Sequence, residues 1–129
     1  MLSSLRRAQR DIGGLLLVGK RAAPEVFYLP GGKPEPGEGH RACLSREIAE
    51  ELDSSIETGR LLGVFSGVAA LERIPMEMTV YLGMLGRDPR PSSEIAALDW
   101  FSPGRPFAGD LAPAVRDSVV PALSAAGLL

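Results

Sequence analysis

The sequence predicts an α/β protein of mixed α+β type, with a mixed β-sheet held between helices as an α/β/α sandwich. Two observations support this fold class: short apolar runs typical of strands lie before and after a helical pattern, and a second helical pattern closes the chain. Such strands and helices bury their apolar faces against one another in layers, so helices are expected on both faces of the sheet. A length of 129 residues suits one compact domain, predicted over residues 1–129.

In the first part of the chain, apolar runs alternate with turn residues. Residues 2–9 are a candidate strand, and Leu15–Lys20 is predicted to be a buried central strand because its apolar run is short and continuous. Residues 26–29 are a second extended segment. Residues 30–39 hold four glycines and three prolines, which exclude a helix and a regular strand and predict a shaped loop.

The second part of the chain repeats this alternation. Strands are predicted at residues 61–68, at residues 76–85, where apolar and polar side chains alternate, and around residues 98–101. Residues 88–93 are rich in proline and serine and are predicted to form a loop. Residues 113–126 are predicted to be a closing helix, which tolerates the proline in its first turn.

Charge and composition exclude several classes of partner. The 14 basic and 16 acidic residues give a formal net charge of −2, which indicates neither a nucleic acid polymer nor an anionic membrane as a partner. The single cysteine, Cys43, cannot form an internal disulfide, and no Cys/His cluster suggests zinc. Because no secretory signal pattern and no apolar run of membrane-spanning length is present, a cytoplasmic location is expected.

The central helical pattern covers residues 41–52, where apolar side chains recur near a 3.6-residue period. It places Glu47, Glu50 and Glu51 at i, i+3 and i+4, on one helical face. Like charges at this spacing repel one another, and a hard divalent cation such as Mg²⁺ would relieve the repulsion. On the helix alone, a metal site and an ordinary solvated acidic face are equally good interpretations. The loop that runs directly into the helix favours the metal site, because its backbone can approach a metal and phosphates closely.

Loop and helix together resemble the Nudix box, G-x5-E-x7-R-E-U-x-E-E-x-G-U, in which U is a bulky aliphatic residue. The segment 32–54 matches this pattern in residue type and spacing up to Glu51, and residues 27–31 resemble the aromatic-x-Leu-Pro-Gly sequence that precedes it. The box ending differs, because Asp53 stands at the glycine position and Ser54 at the last aliphatic position, with Ile56 as a nearby substitute. Asp tolerates the left-handed conformation of a helix exit better than most residues, so the change is expected to spare the carboxylates.

The resemblance implies a role for most residues of the box. Mg²⁺, with Mn²⁺ as a substitute, would be held by Glu47, Glu50, Glu51 and the Gly31 carbonyl, and Arg46 would pair with Glu38 or Glu47. The predicted catalytic residues are therefore Arg46, Glu50 and Glu51. Either Glu51 or Glu50 is the first candidate for the general base, and related enzymes that recruit a base from a later loop keep Glu72 and Glu94 open.

Several residues outside the carboxylate set are candidate substrate contacts. Arg21 and Lys33 are candidates for binding phosphates, although simple surface charge explains them equally well. Tyr28 is a candidate for stacking on a base, against a higher expectation of core packing. His40 is expected to be solvated or to cap the helix, and Cys43 to be packed as a small apolar residue.

The resemblance implies metal-dependent hydrolysis of a phosphoanhydride bond in a nucleoside diphosphate linked to another group. Nucleoside triphosphates, dinucleoside polyphosphates and nucleotide sugars all remain candidate substrates, since pocket contacts rather than the fold decide among them. The alternative is a catalytically weak domain that binds a nucleotide as a sensor or interaction module. The expected partner is a small nucleotide, with a homodimer as a further possibility.

Overall fold

The computed structural model describes residues 14–68 and 75–129 of the chain. Its elements follow the order strand, strand, helix, four strands and a closing helical segment. The strands are β1 (Leu15–Lys20), β2 (Ala23–Tyr28), β3 (Ile56–Val68), β4 (Pro75–Leu85), β5 (Ile95–Phe101) and β6 (Asp110–Leu111). The helical elements are α1 (His40–Leu52), a π-helical turn (Val115–Val119) and α2 (Val120–Ala125).

The strands form two sheets within the described residues. The larger has the order β5-β1-β2-β6, with β1 antiparallel to both of its neighbours and β6 parallel to β2, so it is a mixed sheet as predicted. The smaller is the antiparallel pair of β3 and β4. Met78 and Val80 of β4 belong to the same buried cluster as Leu15 and Leu17 of β1, so the pair packs onto the larger sheet.

Strand β1 is buried on both faces, and this burial defines the layers. Successive side chains of a strand point to opposite faces. Leu15 and Leu17 pack with the closing helical segment, through side chains that include Val115, Val119 and Leu123. On the other face, Leu16 and Val18 pack with α1 through Ile48 and Leu52. Helices therefore cover both faces of the sheet, which confirms the predicted sandwich.

Most predicted elements are present, with shifted ends. β1 has the predicted bounds, α1 begins one residue earlier than predicted, and β5 begins at Ile95, three residues before the predicted strand around residues 98–101. β3 begins at Ile56 rather than residue 61, because its glycine Gly59 lies inside the ladder instead of ending it; a Cβ there would be 3.0 Å from the Leu82 carbonyl oxygen. The candidate strand at residues 2–9 lies outside the described residues.

The closing segment differs from the single α-helix predicted for it. It begins with a π-helical turn in which the Val120 N–H donates to the Val115 carbonyl, five residues back. The next residue, Pro121, has no N–H to continue an α-helical ladder, so the wider turn precedes it. The short strand β6 was not predicted. No helix in the described part of the chain is long and apolar enough to cross a membrane.

Candidate active site

The glycine-rich loop lies against α1, and their contact positions Glu51. The Glu51 side chain is buried, with 2% of its surface exposed, and its Oε1 accepts a hydrogen bond of 2.9 Å from the Gly31 N–H. The pKa of this carboxyl is raised to about 7, mainly by burial and also by the charge of Glu47, while the Gly31 hydrogen bond opposes the shift. Glu51 is therefore a desolvated acid, because the Gly31 hydrogen bond and the charge of Lys20 only partly offset the cost of its burial.

Glu47 occupies a space that depends on a glycine. A Cβ placed on Gly32 would lie 2.7 Å from Glu47 Cδ and 2.9 Å from each carboxylate oxygen. Any side chain at this position would push the Glu47 carboxylate aside. The first glycine of the box is thus explained by the approach of this carboxylate to the loop backbone.

Arg46 joins the loop to the helix through several charged contacts. Its Nε and Nη2 each donate a 2.9 Å hydrogen bond to Glu38, and its Nη1 donates a 2.7 Å bond to Glu47. Nη2 also donates to the Lys33 carbonyl at 3.2 Å. The paired guanidinium lowers the pKa of Glu38 to about 2. The sequence left Glu38 and Glu47 open as partners of Arg46, and in the structure Arg46 pairs with both.

The three acids share a helix face but differ in burial and in pairing. Glu51 is buried, Glu47 is held by Arg46, and the Glu50 side chain is 54% exposed, with its Oε1 3.7 Å from Arg46 Nη1. Among residues 14–68 and 75–129, no three acidic, histidine or cysteine side chains converge on one point.

Gly31 contributes through its backbone, as its position in the loop suggested. Its φ of 133° lies in the region that favours glycine. The contact that the structure shows is the N–H bond to Glu51. The predicted role of its carbonyl as a metal ligand stays a prediction.

The three predicted substrate contacts differ in exposure. Arg21 is exposed, and its Nε donates to the Ser93 carbonyl at 3.2 Å. Lys33 is also exposed, within the glycine-rich loop. Tyr28 packs against both buried clusters, and the Lys20 ammonium lies 5.4 Å from its ring centroid, an arrangement that suits the core role.

Two later acids were open as general bases. Glu94 is exposed at the start of β5, and its charge contributes to raising the pKa of Glu51, so the two carboxylates lie within electrostatic reach. Glu72 lies outside the described residues.

His40 and Cys43 have structural partners. Gly39 is the N-cap of α1, so His40 does not cap the helix; its Nδ1 is instead hydrogen-bonded to the Tyr81 hydroxyl at 2.8 Å. The Cys43 thiol is buried, as expected, and donates to the Gly32 carbonyl at 3.6 Å. Burial raises the pKa of this thiol, which keeps it protonated and unreactive.

The helix exit accommodates the unusual box ending. Asp53 has φ 49° and ψ 44°, the left-handed conformation that a glycine would otherwise supply. Ser54 is buried, with 2% of its surface exposed, and its hydroxyl is hydrogen-bonded to the backbone of Arg87. The contact between Ser54 and Arg87 could not be predicted from a local pattern, because the two residues lie 33 positions apart in the chain.

Comparison with known proteins agrees with this geometry. A family model described as the NUDIX domain matches residues 5–123. A Bacillus subtilis protein, provisionally named an 8-oxo-dGTP diphosphatase, is 31% identical over 93 residues, which are 70% of this chain and 59% of that relative. The chain thus spans less than two thirds of the length of this relative.

Two further relatives match over more of their length. A Mycobacterium tuberculosis protein, provisionally named 8-oxo-dGTP diphosphatase 2, is 29% identical over 120 residues, covering 82% of this chain and 85% of the relative. The crystal structure of a MutT NUDIX hydrolase from Burkholderia pseudomallei has a TM-score of 0.71 at 30% identity and covers 95% of both chains. With its box helix, its sandwich fold and a family match over nearly all of its length, the chain belongs to the Nudix hydrolase family.

Proposed function

We propose that this chain hydrolyses a phosphoanhydride bond in a nucleoside diphosphate linked to another group, with Mg²⁺ or Mn²⁺ as its cofactor. The observation that carries the proposal is the desolvated Glu51 carboxyl, which lies on the same helix face as Glu47 and Glu50 and borders the glycine-rich loop. A buried acid whose pKa stays raised to about 7 costs stability when it ionises, so its presence at this position favours a functional role.

The donor set suits a hard divalent cation. Glu47, Glu50, Glu51 and the Gly31 carbonyl offer only oxygen atoms, the ligands that Mg²⁺ and Mn²⁺ prefer. When bound, the metal supplies charge neutralisation at the phosphates and a more acidic water. The raised pKa of Glu51 supports the fit, since a neighbouring cation would favour the ionised carboxylate.

Proton transfer and the positioning of the carboxylates are assigned to side chains of the protein. Glu51 is an acid of this helix face beside the glycine-rich loop, and its ionised carboxylate can accept a proton from a water molecule and release it again. Glu50 and Glu94 are the other acids available for this proton transfer. Arg46 acts as a positioning residue: its bonds to Glu38 and Glu47 hold the Glu47 carboxylate against Gly32.

Nucleoside triphosphates are the first substrate class to test, because two relatives carry the name of a diphosphatase acting on 8-oxo-dGTP. The proposed partner is this small nucleotide, bound near Arg21 and Lys33, whose charges suit phosphates. A cytoplasmic location and a homodimer remain predictions. Light scattering of the purified protein would test the dimer.

A second candidate is a nucleotide-binding domain with weak catalysis. The observation that favours it is that no three acidic, histidine or cysteine side chains converge on one point among residues 14–68 and 75–129, while Glu47 is already paired with Arg46. This candidate predicts nucleotide binding without metal-dependent turnover.

One experiment separates the two candidates. The purified chain is incubated with a panel of nucleoside triphosphates, dinucleoside polyphosphates and nucleotide sugars, with Mg²⁺, with Mn²⁺ or with a chelator, and both products are identified. Metal-dependent cleavage that disappears in Glu51→Gln is the expected result. Binding of a nucleotide by calorimetry with no product formed would support the second candidate instead.

A further inference from the structure

The end of the box helix carries contacts that the box pattern does not explain. Asp53 and Ser54 occupy positions at which the pattern has a glycine and an aliphatic residue. Both side chains contact the segment that connects β4 to β5, residues 86–94, called here the β4–β5 loop. An aliphatic side chain and a glycine would make neither contact.

Ser54 is the better buried of these two contacts. Its Oγ lies 2.9 Å from the Arg87 carbonyl oxygen, to which it donates, and accepts from the Arg87 N–H at 3.3 Å. The adjacent Ser55 carbonyl accepts from the Gly86 N–H at 2.9 Å. A hydroxyl with 2% residue exposure that serves both polar groups of one residue fixes the start of the loop against the helix exit.

The loop then runs along the carboxyl end of α1. The Arg90 N–H donates to the Leu52 carbonyl at 2.9 Å, and the Ser92 N–H donates to the Glu51 carbonyl at 3.0 Å. The last carbonyls of a helix have no partner inside it, so the loop backbone supplies partners for them. Arg90 also forms an exposed ion pair with Asp53, which adds a weaker tie.

These ties end beside the proposed catalytic acids. Ser92, bonded to the backbone of Glu51, lies two residues before Glu94 in the chain. On the other side, the Glu94 carbonyl accepts from the Arg21 N–H at 2.9 Å, next to the end of β1. The backbone that carries Glu94 is thus held between the box helix and β1.

We propose that Ser54, assisted by Asp53, is a positioning residue that fastens the β4–β5 loop to the box helix and so holds the Glu94 carboxylate beside Glu51 during hydrolysis. The inference rests on the proposed function and extends it to the unusual box ending. Ser54 acts through Glu94 and touches neither the substrate nor the metal. Loss of its hydroxyl would leave both polar backbone groups of Arg87 without this partner and free the loop to move.

The test is a double-mutant cycle between Ser54→Ala and Glu94→Gln, read in kcat, KM and melting temperature. Ser54→Ala is expected to lower kcat about tenfold or more, because small misplacements of a reacting group are costly, with KM changed less. In the Glu94→Gln background the same change is expected to leave kcat unaltered, since the group it positions is already gone. The fall in melting temperature caused by Ser54→Ala is expected in both backgrounds.

Two companion variants separate positioning from folding. Thr79→Val removes another buried hydroxyl, on β4 and away from the loop, and is expected to keep the kcat of the parent. Asp53→Gly restores the residue of the box pattern and the ease of the left-handed exit while removing the tie to Arg90. It is expected to keep the melting temperature and lower kcat by a smaller factor than Ser54→Ala.

The outcomes distinguish this inference from the proposed function. Equal loss of kcat from Ser54→Ala in both backgrounds would overturn the positioning role, as would wild-type kcat in Glu94→Gln or in a folded Ser54→Ala variant. In each of those cases an inactive Glu51→Gln variant would leave the proposed function standing. A parent protein without metal-dependent hydrolysis would overturn both.

Discussion

Replacing Glu51 by glutamine should stabilise the metal-free protein at alkaline pH while abolishing its turnover. Glutamine keeps the oxygen that accepts the Gly31 hydrogen bond but cannot ionise. The pKa of Glu51 rises from 4.5 to about 7 in the folded protein. Each pKa unit is worth about 1.36 kcal/mol, so ionising the buried carboxyl costs the folded state about 3 kcal/mol at about pH 8.

The pH dependence of this effect has a definite sign. Below a pH of about 4.5 the carboxyl is protonated in both folded and unfolded chains, so wild type and variant should be equally stable. As the pH rises, the unfolded chain ionises first, and the wild type loses stability until the folded carboxyl has also ionised above its pKa of about 7. The difference in free energy of unfolding should therefore open between these two pH values and stay constant above them.

Urea unfolding with a chelator present, at intervals between about pH 5 and pH 8, measures this difference. Glu50→Gln is the matched control: its side chain is 54% exposed, and its stability should stay within about 0.5 kcal/mol of wild type. Added Mg²⁺ should stabilise the wild type more than Glu51→Gln, because it binds the folded carboxylate. A pH-independent difference, or one below about 1 kcal/mol at the alkaline end, would refute the assignment of Glu51 as a desolvated acid.

Three other substitutions test the site and the core. Gly32→Ala places a methyl group 2.7 Å from Glu47 Cδ, so the flexible carboxylate should move, and activity should fall about tenfold with little change in melting temperature; unchanged kcat would contradict this. Arg46→Lys loses the bidentate contact with Glu38 and should raise the Mg²⁺ concentration for half-maximal activity about tenfold. If this variant has the Mg²⁺ dependence of the wild type, the ion pair is dispensable. Leu16→Ala leaves a cavity at a fully buried position and should lower the free energy of unfolding by about 2–5 kcal/mol, measured by urea denaturation. A loss below about 1 kcal/mol would mean that the side chains between the sheet and α1 repack into the cavity.

Elements with strong local patterns could be predicted from the sequence. The run Leu15–Lys20 has the bounds of β1 because a strand buried on both faces must be apolar at consecutive positions. The helix α1 was also predictable from local sequence, since its apolar side chains recur at the helical period and it contains no Gly or Pro. Where the backbone needed distant partners, prediction failed: β6 has only two residues, and they pair with Val26 and Phe27, far away in the chain.

The start of β3 was misplaced in a stretch that contains a glycine. The strand was predicted to begin at residue 61, yet it begins at Ile56 and includes Gly59. At Gly83 in the partner strand, a Cβ would lie 2.7 Å from a side-chain carbon of Ile56. Gly59 and Gly83 permit close packing between the two strands, which a local sequence pattern cannot distinguish from a turn signal.

The candidate site was predictable in its residues but not in its energetics. Spacing alone placed Glu47, Glu50 and Glu51 on one face. It could not reveal that Glu51 is buried and Glu50 exposed, because that difference arises from where α1 meets the sheet and the glycine-rich loop. The same limit applies to Arg46, whose partners could be narrowed to two but not ranked.

At the end of the box, a different residue adopts the backbone conformation that the glycine of the pattern would have. Asp53 adopts the left-handed conformation that the helix exit requires, so the chain can leave α1 without a glycine at this position. Ser54 is as buried as an aliphatic residue would be, but a buried hydroxyl must be hydrogen-bonded, and the Arg87 backbone meets that need. A non-directional apolar contact is thereby replaced by directional hydrogen bonds to the β4–β5 loop. Removing the single Ser54 oxygen should therefore release the loop that carries Glu94.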